Sequence, residues 1–264
     1  MAKNQTRRSS LEAATHVLER GDIYFAYRPK VEAQVARGFE DVARLYMILS
    51  PHVKRSYRLI IVGEKHLPAV SGGGDRKSWG FVEKVASRPE EVEDQLDPEV
   101  YETKTRGERQ LPPARPAGEG IYAIVRHSGH THPAYALELL AEPGEVQREL
   151  NIVNEGSYII VVKNPEAPSP PGVGLNESHR ARFPKELQER FAGRRFIPVD
   201  PLDFLDYEGA EILLVGARQD VFAELLGLQL YPEHETEATA EIFNDLKMER
   251  SLHPLTPLFK GKWE

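Results

Sequence analysis

The residues best placed by type and spacing to do chemistry are three histidines, His127, His130 and His132, within six positions. They flank Ser128-Gly129, and a two-residue loop containing Gly fits a tight β-hairpin. In that hairpin His127 pairs across from His130, and Val125 across from His132. Cross-strand partners share a face, as do residues two apart on a strand. All three imidazoles therefore share one face at the hairpin tip, and Ala134, Ala136 and Glu138 continue it. Imidazole suits divalent transition metals such as zinc, copper, nickel and iron, and three on one face leave coordination positions open. The competing expectation is a solvated, histidine-rich turn.

Other catalytic patterns are absent. There is no Gly-x-Ser-x-Gly elbow and no His-Glu-x-x-His. The cupin metal motif fails at Ile124, where it wants Gly, and in the spacing from His132 to Glu138. Ser71–Asp75 is glycine-rich but lacks the Lys-Ser/Thr ending of a phosphate loop. The chain has no Cys, which excludes disulfides, thiolate metal sites and a Cys nucleophile. Whether the protein is an enzyme is left open by these patterns.

A second constellation is cationic. Arg28 and Lys30 follow the aromatic run Ile23–Arg28, and Lys65 and His66 follow the apolar run Tyr57–Val62. Together they would form an anion-binding patch, with Tyr24 and Tyr27 as stacking faces of the kind single-stranded nucleic acids use. Residues 1–88 hold 16 basic and 9 acidic residues, a net charge of +7. Residues 89–163 and 164–264 each carry −7, giving −7 for the whole chain of 264 residues. The same balance is expected if the basic segment pairs with the acidic remainder of its own chain.

The elements that must carry these residues follow from pattern. Ser9 to Glu12 fits a helix capping box, predicting a first helix from Ser10 to Arg20. Val42–Leu49, Tyr57–Val62, Trp79–Val85, Ile121–His127, His130–Leu139, Ser157–Lys163 and Glu211–Val215 read as strands, the first of them ambiguous with helix. Gly144–Asn151, Pro184–Phe191 and Asp220–Leu226 read as short helices, and Glu235–Arg250 as the longest one. Leu59, Ile61, Ile121, Ile159 and Val161 are the expected core. Asn164–Asn176, with four Pro and two Gly, reads as a surface connection.

The fold class expected is α+β: a β-rich mixed or antiparallel body over 1–165, then a smaller, more helical α/β segment over 166–264 with a packed C-terminal tail. One compact domain holding both is the alternative. No apolar run approaches membrane-spanning length, so a cytoplasmic protein without membrane contact is expected. The leading functional expectation is binding of a small molecule or a protein partner. The alternatives are a metal-dependent enzyme at His127, His130 and His132, and an anion- or nucleic-acid-binding module at Arg28, Lys30, Lys65 and His66. Oligomeric state is not encoded in any of these patterns.

Overall fold

A computed structural model describes residues 16–70, 76–105, 107–140, 142–170, 172–217, 230 and 232–264. Its centre is a ring of eight strands. They are β1 (His16–Pro29), β2 (Val42–Pro51), β3 (Tyr57–Val62), β4 (Lys77–Ala86), β7 (Arg115–His127), β8 (His130–Leu137), β9 (Glu155–Lys163) and β11 (Glu211–Gly216). Around the ring the order is β1, β2, β3, β4, β11, β9, β8, β7 and back to β1. Every neighbouring pair is antiparallel. A short strand β10 (Phe196–Pro198) takes the far half of the β9 edge that β8 leaves free. A separate hairpin, β5 (Glu99–Thr103) with β6 (Gly107–Leu111), stands off the ring. The fold is therefore a closed antiparallel β-barrel with one extra strand, not the α+β arrangement that the pattern predicts.

Side chains alternate across each wall. Ile23, Phe25 and Tyr27 meet Leu49, Met47 and Leu45 across the β1–β2 pair inside the barrel. Ile60, Val82, Ile212, Ile160, Tyr135 and Tyr122 continue that interior around the ring. Full closure leaves no unpaired edge in the ring itself, the feature that otherwise invites aggregation.

The outer wall of β1–β3 is apolar too. Tyr24, Ala26, Tyr46, Ile48, Leu59 and Ile61 face outward under a second layer. That layer is helix α1 (Glu90–Leu96) and a C-terminal strap bearing Ala240, Ile242, Phe243, Leu246 and Leu258. Both ends are also covered. Helix α2 (Glu145–Glu149) lies over one end, where Val146 and Leu150 join the interior core. Its fully buried Gln147 donates to the carbonyls of Ala117 and Pro257. At the other end Phe183, Phe191 and Phe204 pack ring to ring, beside helix α3 (Lys185–Arg190). There the buried Arg58 holds Glu19 at 2.6 Å and Asp206 at 2.8 Å. The tail packs down: Trp263 meets Tyr27 edge to face at 5.3 Å, and Glu264 pairs with the buried Arg115 at 2.5 Å.

Three element expectations are corrected. Residues 16–20 belong to β1, not to a helix reaching Arg20. The expected helix over 235–250 is a single turn, α4 (Ile242–Asp245), because the chain turns over 237–239 before it and Lys247 takes a left-handed φ after it. Ile121, Ile159 and Val161 are only half-buried, while Tyr122, Ile160 and Val162 face the core. The capping box, Ser71–Asp75 and Asp220–Leu226 lie outside the described residues. The strands over 157–163 and 211–215, and the short helices at 145 and 185, form where the pattern places them. Among the described residues no helix is long and apolar enough to cross a membrane.

Candidate functional site

The histidine hairpin forms in the expected register. His127 pairs with His130 and Val125 with His132. Ser128 and Gly129 take φ of 50° and 80°, the left-handed pair that a two-residue hairpin turn demands. This face is the outside of the barrel. His130 is exposed, whereas His132 is 5% exposed, with its Nδ1 buried and without a hydrogen-bond partner. The two rings meet edge-on, centroids 6.1 Å apart. Burial pushes His132 down to about 4, and the neighbouring His130 and His127 push the same way. Among the described residues no group of three or more His, Cys, Asp or Glu is placed to hold a metal ion. The hairpin thus brings the three histidines to one face in the expected register, with His132 buried and His130 exposed.

The cationic constellation is split. Arg28 is buried on the outer wall and spent on structure. It donates to the Tyr46 hydroxyl at 3.1 Å, to the carbonyls of Gln95 and Asp97 at 2.6 and 3.1 Å, and to that of Pro112. Lys30 is exposed in the loop after β1. Lys65 and His66 lie in the turn after β3, at the barrel end that α2 covers. His66 packs on Phe39 at 5.9 Å and faces the Leu67 carbonyl at 2.9 Å. Tyr24 and Tyr27 are fully buried, so neither offers a stacking face.

Sequence reasoning missed the outer-wall cleft that Arg28 helps to build. By gripping Gln95, Asp97 and Pro112, Arg28 ties α1 and the root of the β5–β6 hairpin to the barrel. Between them lies a cleft of 480 Å³, lined in part by Arg44, Tyr46, Glu83, Asp94, Glu99 and Tyr101. Arg44, Glu83, Asp94 and Glu99 have no ion-pair partner among the described residues. A neighbouring cleft of 530 Å³ is lined by Phe81, His179, Arg180 and Glu208. Apart from Glu83, which lines both clefts, its charges are committed: Arg180 donates to the carbonyls of Leu175 and Pro165, and Glu208 accepts from the Val85 N–H and meets Lys84 at 3.3 Å. The one sequence signal for the open cleft was the acidic stretch Glu90–Glu99, which alternation alone marks as solvated surface.

A second missed feature is a knot of carboxyls where the strap crosses β7 and β8. Glu119 is buried and accepts the backbone N–H of Glu241 at 2.5 Å and of Ile242 at 3.3 Å. Glu138 accepts the Glu233 N–H at 2.9 Å. Burial, then the adjacent Glu235 carboxyl, push Glu119 up to about 9, while its bonds to the strap N–H groups act in the opposite sense. Burial pushes Glu138 up to about 7. The signal in the sequence was a lone Glu inside the otherwise uncharged strand run Pro116–Val125.

No family model, curated protein or solved structure matches the chain. Function must therefore be read from these sites alone.

Proposed function

We propose that this is a binding protein, and that its guest is a basic segment of a protein partner lying in the 480 Å³ cleft between the barrel wall and the β5–β6 hairpin. The observation that carries this reading is a concave site whose charges are left unpaired by the fold. Among the described residues four carboxylates, Glu83, Asp94, Asp97 and Glu99, stand in its lining against two guanidinium groups, those of Arg28 and Arg44. A guest that restores neutrality must bring net positive charge. The half-buried Tyr101 adds aromatic surface, on which a Lys or Arg of the guest can rest. The interior of the barrel is filled by its own side chains, which supports binding on the outside. The small-molecule reading is the competitor, with a free polyamine as its natural form in this cleft.

A fluorescein-labelled Lys- and Arg-rich peptide should bind in a polarisation assay at low salt and weaken as salt is added. Replacing Asp94 and Glu99 together by Asn and Gln should weaken it about tenfold, a loss of about 1.4 kcal/mol. Spermidine at equal charge should compete poorly, since it lacks the length and side-chain contacts of a peptide. Equal binding of an acidic peptide, or no binding of the basic one, would overturn the proposal. Strong binding of spermidine with weak binding of peptide would favour the small-molecule competitor.

A further inference from the structure

Over residues 233–245 the strap meets the barrel through a cluster of acidic groups, whereas its end is held by the Glu264–Arg115 pair. From β7 comes Glu119, from just beyond β8 Glu138, and from β1 Tyr24, whose hydroxyl donates to Asp245 at 2.6 Å, and Asp22, which His52 meets at 2.8 Å. From the strap come Glu233, Glu235, Glu241 and Asp245. Of the strap cations that follow Asp245, Lys247 is exposed, and Arg250 donates to the Glu237 carbonyl and lies over the Phe243 ring at 4.1 Å. His234 is exposed. Glu235 brings its carboxyl against that of Glu119, and its Oε2 is buried with no ordinary hydrogen-bond partner. Two carboxylate oxygens face to face repel each other unless one holds a proton.

We propose that this strap is a proton-gated clasp, held on the barrel while Glu119 and Glu138 keep their protons and loosened as they ionise. The geometry gives the gate its leverage. Glu119 caps the start of α4, and α4 carries Ile242 and Phe243, which cover the apolar outer wall at Tyr24 and Ile48. Loss of this one anchor therefore uncovers a patch of sheet rather than a single side chain.

The sign follows from where each carboxyl holds its proton. In the lifted strap both glutamates ionise at the ordinary value of 4.5, whereas in the docked strap Glu138 does so at about 7 and Glu119 at about 9. A group whose docked value is raised favours docking most at acid pH, and that preference is lost as pH climbs through the docked value. The clasp is thus tightest below pH 5, weakens as pH rises from there, and has lost the share of Glu138 by about 7 and that of Glu119 by about 9.

The test is hydrogen exchange read by mass spectrometry on the full chain at pH 5.5 and 8.5, with labelling times corrected for intrinsic exchange. Strap peptides between 240 and 260 should lose at least tenfold protection at pH 8.5, while β2 and β3 keep theirs. Glu119→Gln keeps an oxygen for the strap N–H groups and removes the charge, so it should hold the strap protected at both pH values. Should that variant not fold, Glu138→Gln, at the half-exposed edge, must at least halve the pH effect. Equal strap protection at both pH values overturns the clasp. So does a pH dependence unchanged in the variant that folds.

Discussion

At the scale of the residue, His132 shows how burial converts a candidate ligand into a structural group. Its ring sits against the outer wall with Nδ1 unpaired, and its protonation is held down to about 4. In the unfolded chain the ordinary value is 6.5. Acid therefore protonates the unfolded chain first, and the stability that His132 brings above pH 6.5 is lost as pH falls toward 4. His132→Leu should flatten the decline of melting temperature between pH 7 and 4.5, by an amount equivalent to about 1–3 kcal/mol. Native and variant curves of equal slope in that window would contradict this. The register of the three histidines was readable from the sequence, because Ser128-Gly129 fixes it. Their depth was not, because nothing local says which wall of a closed sheet will be covered. Arg28 teaches the same lesson from the other side. A cation after an aromatic strand reads as a free charge, yet its four acceptors lie 18 to 84 residues away in the chain.

At the scale of the element, strands were legible and helices less so. The strands after Tyr57, Ile121, Ser157 and Glu211 announce themselves by β-branched and aromatic runs. Which face of each was core could not be read, because β1 to β3 are buried on both faces. From Tyr24 to Tyr27 every side chain is fully buried. A strand covered on both sides shows a continuous apolar run and loses its period of two. The parity error in β9 gives a direct check. Ile160 faces the interior, so Ile160→Ala should cost about 2–5 kcal/mol. Ile159→Ala, half-buried on the outer wall, should cost less than half as much. Urea unfolding of the two variants settles the register, and the reverse order would place the core on the other face. The failed helix over 235–250 has a physical cause as well. Its Glu235, Glu241 and Asp245 are drawn to barrel partners, and Lys247 takes a left-handed φ of 58°, which a continuous helix forbids.

At the scale of the whole molecule, closure could not be read from local signals. Ring order is a set of long-range pairings: β1 with β7, β8 with β9, β4 with β11. None has a signature in a window of ten residues. The outer-wall cleft shares that origin, since it exists only because α1 and the β5–β6 hairpin are pinned across the barrel. The charges lining it were visible in the sequence, but their lack of partners is a property of the assembled fold.

Strand β11 has a further consequence, in time rather than in space. It is the last strand among the described residues, yet it fills the place between β4 and β9, two strands finished long before it. A ribosome that has produced only the first 205 residues has made a sheet with two raw borders. Those borders stay open until Glu211–Gly216 emerges. Such a late keystone makes folding wait for translation and rewards slow, chaperoned emergence. Chains stopped at residue 205 should therefore associate through the bare rims of β4 and β9 and sediment as oligomers. Adding a synthetic peptide of residues 209–217 during refolding should reduce that association, and a monomeric, protease-resistant 205-residue chain would show that the gap closes by other means.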